Sequence, residues 1–380
     1  MDFEFTDEQR QLREALERFL IKEYSFDRYR AIKASPQGWD KQVWHQLAEL
    51  GVLGVNVPSE QGGLGFGPLE TLAIMDVCGP SMLLEPLTSS AVIATTLLNG
   101  FVADSAVSEL LRHLAAGEQI AVLSHHDADA RSELQWVSAS ARRAGNGYVL
   151  NGHKAVALHA NLADTLLISA RTAGQPGDAR GISLFRVPHD AAGVTLIGYP
   201  TMGGQLAAEV VLKDVQVPGT HRLGEEGKVL PAIESALDVG LAALCAESVG
   251  VMQALFKATV EYLRTRQQFG QPIGRFQALQ HRVADMLIHL EQARSMSYLA
   301  AMRCISTDLP ERRRALSAAK IIVGQAGRFI GQQAVQLHGG MGMTEELNVS
   351  HLFKRLTASE FLFGDTDSHL QKLAALTRST

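Results

Sequence analysis

Residues able to do chemistry are most concentrated in Tyr262-Leu-Arg-Thr-Arg-Gln-Gln-Phe-Gly-Gln-Pro-Ile-Gly-Arg-Phe-Gln-Ala-Leu-Gln-His281. A long apolar helix pattern runs into this stretch and another leaves it. The turn between them carries Arg264, Arg266, Gln267, Gln268, Phe269, Gly270, Pro272 and Gly274. Gly270 is expected to end the incoming helix, and Pro272 to keep it from restarting. A guanidinium, an aromatic ring and amides together suit a nucleotide: Arg266 for a pyrophosphate, Phe269 for a base face, Gln277 for polar edges. The same residues also suit an ordinary helix–helix corner with a surface arginine. Residue types alone leave both open.

Other chemistries find little support. There is no Gly-x-Ser-x-Gly elbow, no His-Glu-x-x-His pair and no Walker loop. His125 and His126 are adjacent, and His153 and His159 are near one another, but neither spacing is a zinc signature, so no metal is expected. Gly339-Gly-Met-Gly342 lacks the strand-to-helix setting of a dinucleotide fingerprint. The formal net charge of -5 gives no basic field for nucleic acid. Cys78, Cys245 and Cys304 lie far apart in apolar contexts and read as core residues of a reducing compartment. Met1-Asp-Phe-Glu-Phe-Thr-Asp-Glu is acidic and unlike a signal peptide, and no uninterrupted apolar stretch is expected to reach membrane-spanning length. The chain is expected to be cytoplasmic.

The elements that must position these residues fall into an α+β arrangement. Thr6 to Gln9 has capping-box spacing, and Leu12, Leu16, Phe19 and Leu20 follow at helical spacing. A second helix runs through Trp44, Leu47 and Leu50 to Gly51, and helical patterns resume from Pro68 to about Ala116. Near Gln119 the period shortens. Runs beginning at Ile120, Ala139, Tyr148, Thr165, Ile182 and Glu209 read as short strands between glycine-rich turns, with a hairpin from Arg142 to Gly152. They predict a small β-barrel or sandwich. Ile233 to Arg264, Gln277 to about Cys304, Arg313 to Leu337 and a tract beyond Gly342 predict a four-helix bundle, in which 380 residues at 46% hydrophobic can bury a large core. The expected divisions are 1–118, 119–226 and 227–380.

Arg-x-x-Phe-Gly-x-x-Ile-x-x-Phe-Gln from Arg266, followed by Gln336-Leu-His-Gly-Gly-Met-Gly342, resembles the paired signature of the acyl-CoA dehydrogenase family. The resemblance covers nearly the whole chain. It is nearest to small subunits of heteromeric members, such as those of pimeloyl-CoA dehydrogenase. It implies an N-terminal helical domain, a middle β-domain and a C-terminal four-helix bundle. It also implies FAD and α,β-dehydrogenation of an acyl-CoA. In that reaction a carboxylate takes the α-proton while a hydride leaves the β-carbon for the flavin. Arg266, Phe269, Gln277, Gln336, Gly339 and Gly340 match the family's clamp for the ADP half, which serves a neighbouring subunit's flavin.

Two departures accompany the match. Members usually carry Thr-Glu-Pro-x-x-Gly-Ser-Asp beside the flavin ring, where this chain has Ser124-His-His-Asp-Ala-Asp-Ala-Arg-Ser-Glu-Leu-Gln-Trp136. A second ring segment, Trp-Ile-Thr in the family, is Val156-Ala-Leu158. The usual catalytic Glu, in Glu-Gly-Thr, falls on Phe363, and the alternative position used by some members falls on Gly240. Glu247 stands seven residues beyond Gly240 on roughly the same helix face. It is either a displaced base or a structural carboxylate paired with an arginine. The resemblance therefore implies a subunit that clamps FAD for a larger paralogous partner in an α2β2 complex, with electron-transfer flavoprotein as acceptor. A self-sufficient homotetramer using Glu247 and a catalytically dead binding or scaffold protein are the alternatives.

Overall fold

A computed structural model describes residues 6–378; the acidic stretch from Met1 to Phe5 lies outside the described residues. Helix α1 (Asp7–Glu23) begins with the expected capping box, Thr6 accepting from Gln9 N and the Gln9 side chain from Thr6 N. Helices α2 (Phe26–Ala34), α3 (Lys41–Glu49) and α4 (Pro68–Cys78) follow. α2 lies where no helix was expected. Its start is set by Ser25, whose hydroxyl accepts from Arg28 N. After α4 the residues Leu87–Ala94 wind as a π-helix, which continues into α5 (Thr95–Asn99) before α6 (Ser105–Ala115) closes the N-terminal region.

The middle region is one eight-stranded sheet. Its strands are β1 (Ala121–Ser124), β2 (Ser140–Ala144), β3 (Gly147–Leu158), β4 (Thr165–Arg171), β5 (Ile182–Pro188), β6 (Val194–Pro200), β7 (Leu206–Pro218) and β8 (Arg222–Leu223). The hydrogen-bonded order is β6-β7-β3-β2-β4-β5-β8, with β1 added to β4 in parallel, and the end strands β6 and β8 do not pair. The predicted hairpin is β2–β3, with Ala144 opposite Gly147. β6 was not foreseen because it is a half-solvated edge containing Gly198 and ending at Pro200, without clean alternation.

One buried network ties β1, β3 and β4 to the segment after β1. Lys154 on β3 is fully buried and donates to Asp127 Oδ1 at 2.6 Å, to the His125 carbonyl at 3.0 Å and to Ser169 Oγ at 3.2 Å. Asp127 also accepts from Ser138 N, Ser138 Oγ and Ala139 N. Burial pushes the Lys154 ammonium down to about 8 despite Asp127, while Lys154 and the Ser138 hydrogen bonds hold Asp127 below its ordinary range against burial; both are charged at neutral pH.

The C-terminal region holds α7 (Leu230–Thr265), α8 (Gln277–Arg303), α9 (Leu309–His338), α10 (Asn348–Phe361) and α11 (Thr366–Arg378). The first four form the bundle, and α11 packs on α9. α7 is long and apolar, with Glu247 interrupting its apolar run. By length and composition it could cross a membrane, but 83% of its most apolar window is buried within the protein. Its apolarity suits the central helix of the fold, packed against α4, α8, α9 and α10. A single contiguous core runs through all three regions, from Leu16 to Leu356.

Replacing Lys154 with Met should leave Asp127 charged and underpaired in the interior. Urea unfolding should register a loss of about 3–5 kcal/mol, as when one partner of a buried pair is removed.

Candidate active site

All three regions contribute to a cavity of about 790 Å³. The π-helix supplies Thr88, Ser89 and Ile93; β1 and the following segment supply Val122, Leu123, His125, His126, Arg131 and Leu134. β3 contributes Ala155 to Leu158, α7 contributes Leu237, Asp238, Leu241, Leu244 and Glu247, and the α10–α11 turn contributes Leu362, Phe363 and Asp365. Its walls combine aliphatic side chains with polar and charged ones, among them His125, Arg131, Asp238 and Glu247, as in pockets for small molecules.

At the edge of this cavity the three regions are joined by one cation. Arg355 of α10 is 3% exposed. Its Nε donates to Glu247 Oε1 at 2.8 Å and its Nη2 binds the same oxygen. Nη1 reaches the Gly203 carbonyl at 3.4 Å and Nη2 the Leu83 carbonyl at 3.3 Å. Glu247 thus lines the cavity, but its carboxylate is engaged by Arg355.

The nucleotide-like residues lie elsewhere. Arg266, the residue that follows α7, stands about five turns beyond Glu247, roughly 28 Å. The ends of α7 and α9 and the start of α8 meet there. Tyr262 stacks on His338 at 4.5 Å between centroids, and Arg282 donates to Gln333 Oε1 at 3.1 Å. Arg266, Phe269, Gln277, Gln336, Gly339 and Gly340 are all exposed at this end, and none lines the cavity. Gly270 does not end the incoming helix, which stops at Thr265. Instead β9 (Gln267–Gln268) and β10 (Gln271–Pro272) form a hairpin whose two tip residues, Phe269 and Gly270, both have positive φ. That is the requirement of a tight two-residue hairpin turn, and Gly270 meets it without a steric cost. The Phe269 ring is 90% exposed, touching Phe276 edge-on at 5.9 Å.

Comparison with known proteins agrees with the architecture. The N-terminal, middle and C-terminal domain models of acyl-CoA dehydrogenase match residues 6–118, 126–215 and 230–376. The probable acyl-CoA dehydrogenase YngJ of Bacillus subtilis (strain 168) is 30% identical over 384 residues, covering 98% of both chains. The chain belongs to the acyl-CoA dehydrogenase family. Members of this family are FAD-dependent flavoproteins and oxidoreductases acting on CH–CH bonds. Among solved structures, the Tcur3481-Tcur3483 steroid ACAD variant is 26% identical with a TM-score of 0.87, covering 98% of both chains. The ChsE4-ChsE5 complex from Mycobacterium tuberculosis, at 24% identity and full coverage of both chains, has a TM-score of 0.88 and shares the fold.

Phe363 and Gly240, on which the family's two base positions are expected to fall, are far apart in the sequence but adjacent in space. A Cβ built on Gly240 would lie 3.2 Å from Phe363 Cζ and 2.7 Å from Ile93 Cγ1. Phe363 therefore fills the volume beside Gly240, and no carboxylate stands at either position. Nearby, Asp238 faces Arg312 at 2.9 Å, and burial raises its carboxyl to about 7 despite that arginine. Facing the β-domain, His125 is wholly buried. Its Nε2 donates to the Leu134 carbonyl, and its Nδ1 accepts from Ser169. Desolvation pushes it to about 3, so the ring is neutral. Val156 has φ 50° and is half exposed at the cavity.

Several residues that organise this site were not anticipated from the sequence: Arg355, Lys154, Lys320 and His369. The first three are long cations inside apolar helix or strand patterns, a signal that marks a buried pair or cap.

Two outcomes follow from these pairings. Glu247→Gln should destabilise the fold by about 3–5 kcal/mol in chemical denaturation, because Arg355 would be left buried without its anion. A carboxylate whose only role was proton transfer would give a variant of unchanged stability. Asp238 should make stability fall as pH rises from about 4 to 7, since the folded state keeps its proton to about 7 and the unfolded chain only to the ordinary 3.8. In Asp238→Asn that part of the slope should vanish, as thermal melts across this range would reveal.

Proposed function

We propose that this chain is the flavin-sharing subunit of a heteromeric acyl-CoA dehydrogenase. The observation that carries the proposal is the Phe363 ring standing beside Gly240, where members of the family carry a base. A phenyl ring takes no proton, and Glu247 is held by Arg355. The six exposed residues at the far end of α7 would then serve a flavin whose ring lies in a partner subunit. When bound, that flavin supplies the hydride acceptor.

The residues present fit the ADP half. Arg266 offers a planar pair of donors to a pyrophosphate, and the Phe269 ring offers a face to a base. Gln277 and Gln336 supply polar contacts. At Gly339 and Gly340 no atom lies within 4 Å of an added Cβ, which leaves room for a nucleotide to approach the main chain. The ring half fits less well. The cavity presents Val156, Ala157 and Leu158 where the family has an aromatic residue and a hydroxyl, and the segment after β1 is tied inward through Asp127 and Lys154. The favoured assembly is α2β2 with a larger paralogue, carrying one flavin for each pair of unlike chains. The ChsE4-ChsE5 complex demonstrates that this fold occurs in a complex of two components. We place the assembly in the cytoplasm with electron-transfer flavoprotein as acceptor. A bulky acyl group agrees with the Tcur3481-Tcur3483 relative, which is described as a steroid ACAD.

Flavin content decides between this assignment and its rivals. The chain purified alone should be colourless and inactive. Co-expressed with a paralogue that has the Thr-Glu-Pro loop and a catalytic Glu, it should be yellow and active, with two flavins per four chains. A yellow, active homotetramer would instead return the role of base to Glu247, and a colourless product under every condition would favour a scaffold.

Within the assembled complex, Arg266→Lys should weaken flavin retention by about tenfold while leaving the melting temperature of the chain unchanged, since it loses the bidentate geometry of one charge-assisted contact. Flavin released on dialysis is the measurement; equal retention by the two proteins would remove Arg266 from the clamp.

A further inference from the structure

Helix α11 is held far less firmly than the helix before it. α10 buries seven of its fourteen residues. Among the thirteen described residues of α11 only His369 is buried, and Leu373 and Leu376 are half-buried. A segment with so few buried contacts opens at lower cost than the rest of the fold. The change occurs at the turn between the two helices. Lys320 of α9 is 2% exposed and donates to the carbonyls of Ser359 at 2.6 Å and Glu360 at 3.0 Å, which fixes the last turn of α10. Immediately beyond it Phe363 has φ 60° and Gly364 φ 94°. A phenylalanine rarely adopts this region, and it persists only where its surroundings impose it.

The group that imposes it is His369. This residue is 4% exposed; its Nε2 donates to the Phe363 carbonyl at 3.0 Å, and its Nδ1 accepts from Ser317 of α9 at 3.1 Å. One imidazole therefore joins the strained turn, α11 and α9. The start of α11 is satisfied nearby: Asp365 accepts from Ser368 N at 2.8 Å, and Glu360 at the end of α10 accepts from Thr366 N at 2.9 Å. The first of these bonds is local to α11 and its cap, and the second is made by a flexible side chain beside the turn. A swing of the helix about Gly364 thus has to break the bonds of His369.

The same helix is a side of the cavity. Asp367, Ser368, His369, Gln371 and Lys372 line it, together with the turn from Leu362 to Asp365. Leu241 of α7 lines the cavity too, yet is only 4% exposed. We propose that α11 is a lid on this cavity: it swings about Phe363 and Gly364, and His369 is the latch that holds it closed. Opening relaxes the Phe363 backbone, which offsets part of the cost of breaking the latch, and bares the cavity side of α7. The lid does not depend on flavin sharing, because the residues assigned to the clamp lie outside this cavity and none is on α11.

Hydrogen–deuterium exchange of the full chain, read peptide by peptide, tests the hinge. Amides of α11 should exchange faster than those of α9 and α10 in the unaltered protein. His369→Ala should raise α11 exchange by about a further tenfold, as expected from losing the hydrogen bonds of one buried side chain, and leave α7 and α9 as they were. His369→Gln, which keeps a donor and an acceptor, should fall between the two. Access to the cavity is read with Leu241→Cys, labelled by N-ethylmaleimide and located by peptide mass; the buried Cys78, Cys245 and Cys304 are internal controls. Labelling at position 241 should rise with α11 exchange, by about the same tenfold, when His369→Ala is added. Protection of α11 equal to that of α9 in the unaltered protein would overturn the inference. So would labelling at position 241 that stays constant while α11 exchanges faster, since α11 would then be a fraying end and not a lid.

Discussion

Burial of one guanidinium constrains the whole structure. Arg355 leaves α10 and meets a carboxylate on α7, a carbonyl from the β-domain at Gly203 and a carbonyl from the N-terminal helices at Leu83. Removing a charge this far from water is expensive unless every donor finds an acceptor. The three regions are therefore held in the one relative placement that supplies those acceptors. The cavity is the space left around that junction. Glu247 lines the cavity, but with Arg355 on its carboxylate it is better understood as the anion of that pair.

The second constraint is the length of α7. A helix of 36 residues carries the cavity wall on its first half and the exposed turn with Arg266 beyond its last turn. The two sites share one rigid element yet stand roughly 28 Å apart along it. Arg266 and its neighbours at the far end are turned to solvent, with the Phe269 ring at the tip of a hairpin. Residues at the other end are buried and self-satisfied. Such a division suits a chain whose contribution to one site is made outward, to a neighbour, while its own cavity has different walls.

Strain marks the places where the backbone is held for a purpose. Phe269 and Phe363 both have positive φ, and each presents its ring at one of these two sites. At the first, the hairpin supplies the constraint through the pairing of Gln268 with Gln271. At the second, Lys320 and His369 supply it from neighbouring helices. Neither ring could be placed where it is by a relaxed turn, and in each case the supporting bonds are short-range or fully buried.

The sequence by itself determined the elements and much of the order of the fold. Hydrophobic spacing marks α1 and α7 through α9, the Thr6 capping box marks the start of α1, and the shortening period after Gln119 marks the sheet. The spaced motifs around Arg266 and Gln336 identify the family and the exposed end of the bundle. These are local signals, each set by neighbours within a few turns or strands. Edge strand β6, the π-helix and the hairpin at Gly270 escaped because their conformation is chosen by contacts and not by propensity. Only the tertiary structure brought Phe363, Gly240 and Ile93 together and paired Glu247 with Arg355. Those residues are separated by about a hundred positions or more, and nothing in a linear pattern specifies which buried charge meets which. Their arrangement follows from packing three regions around a single core, where each buried donor must find an acceptor and each bulky ring needs a glycine opposite.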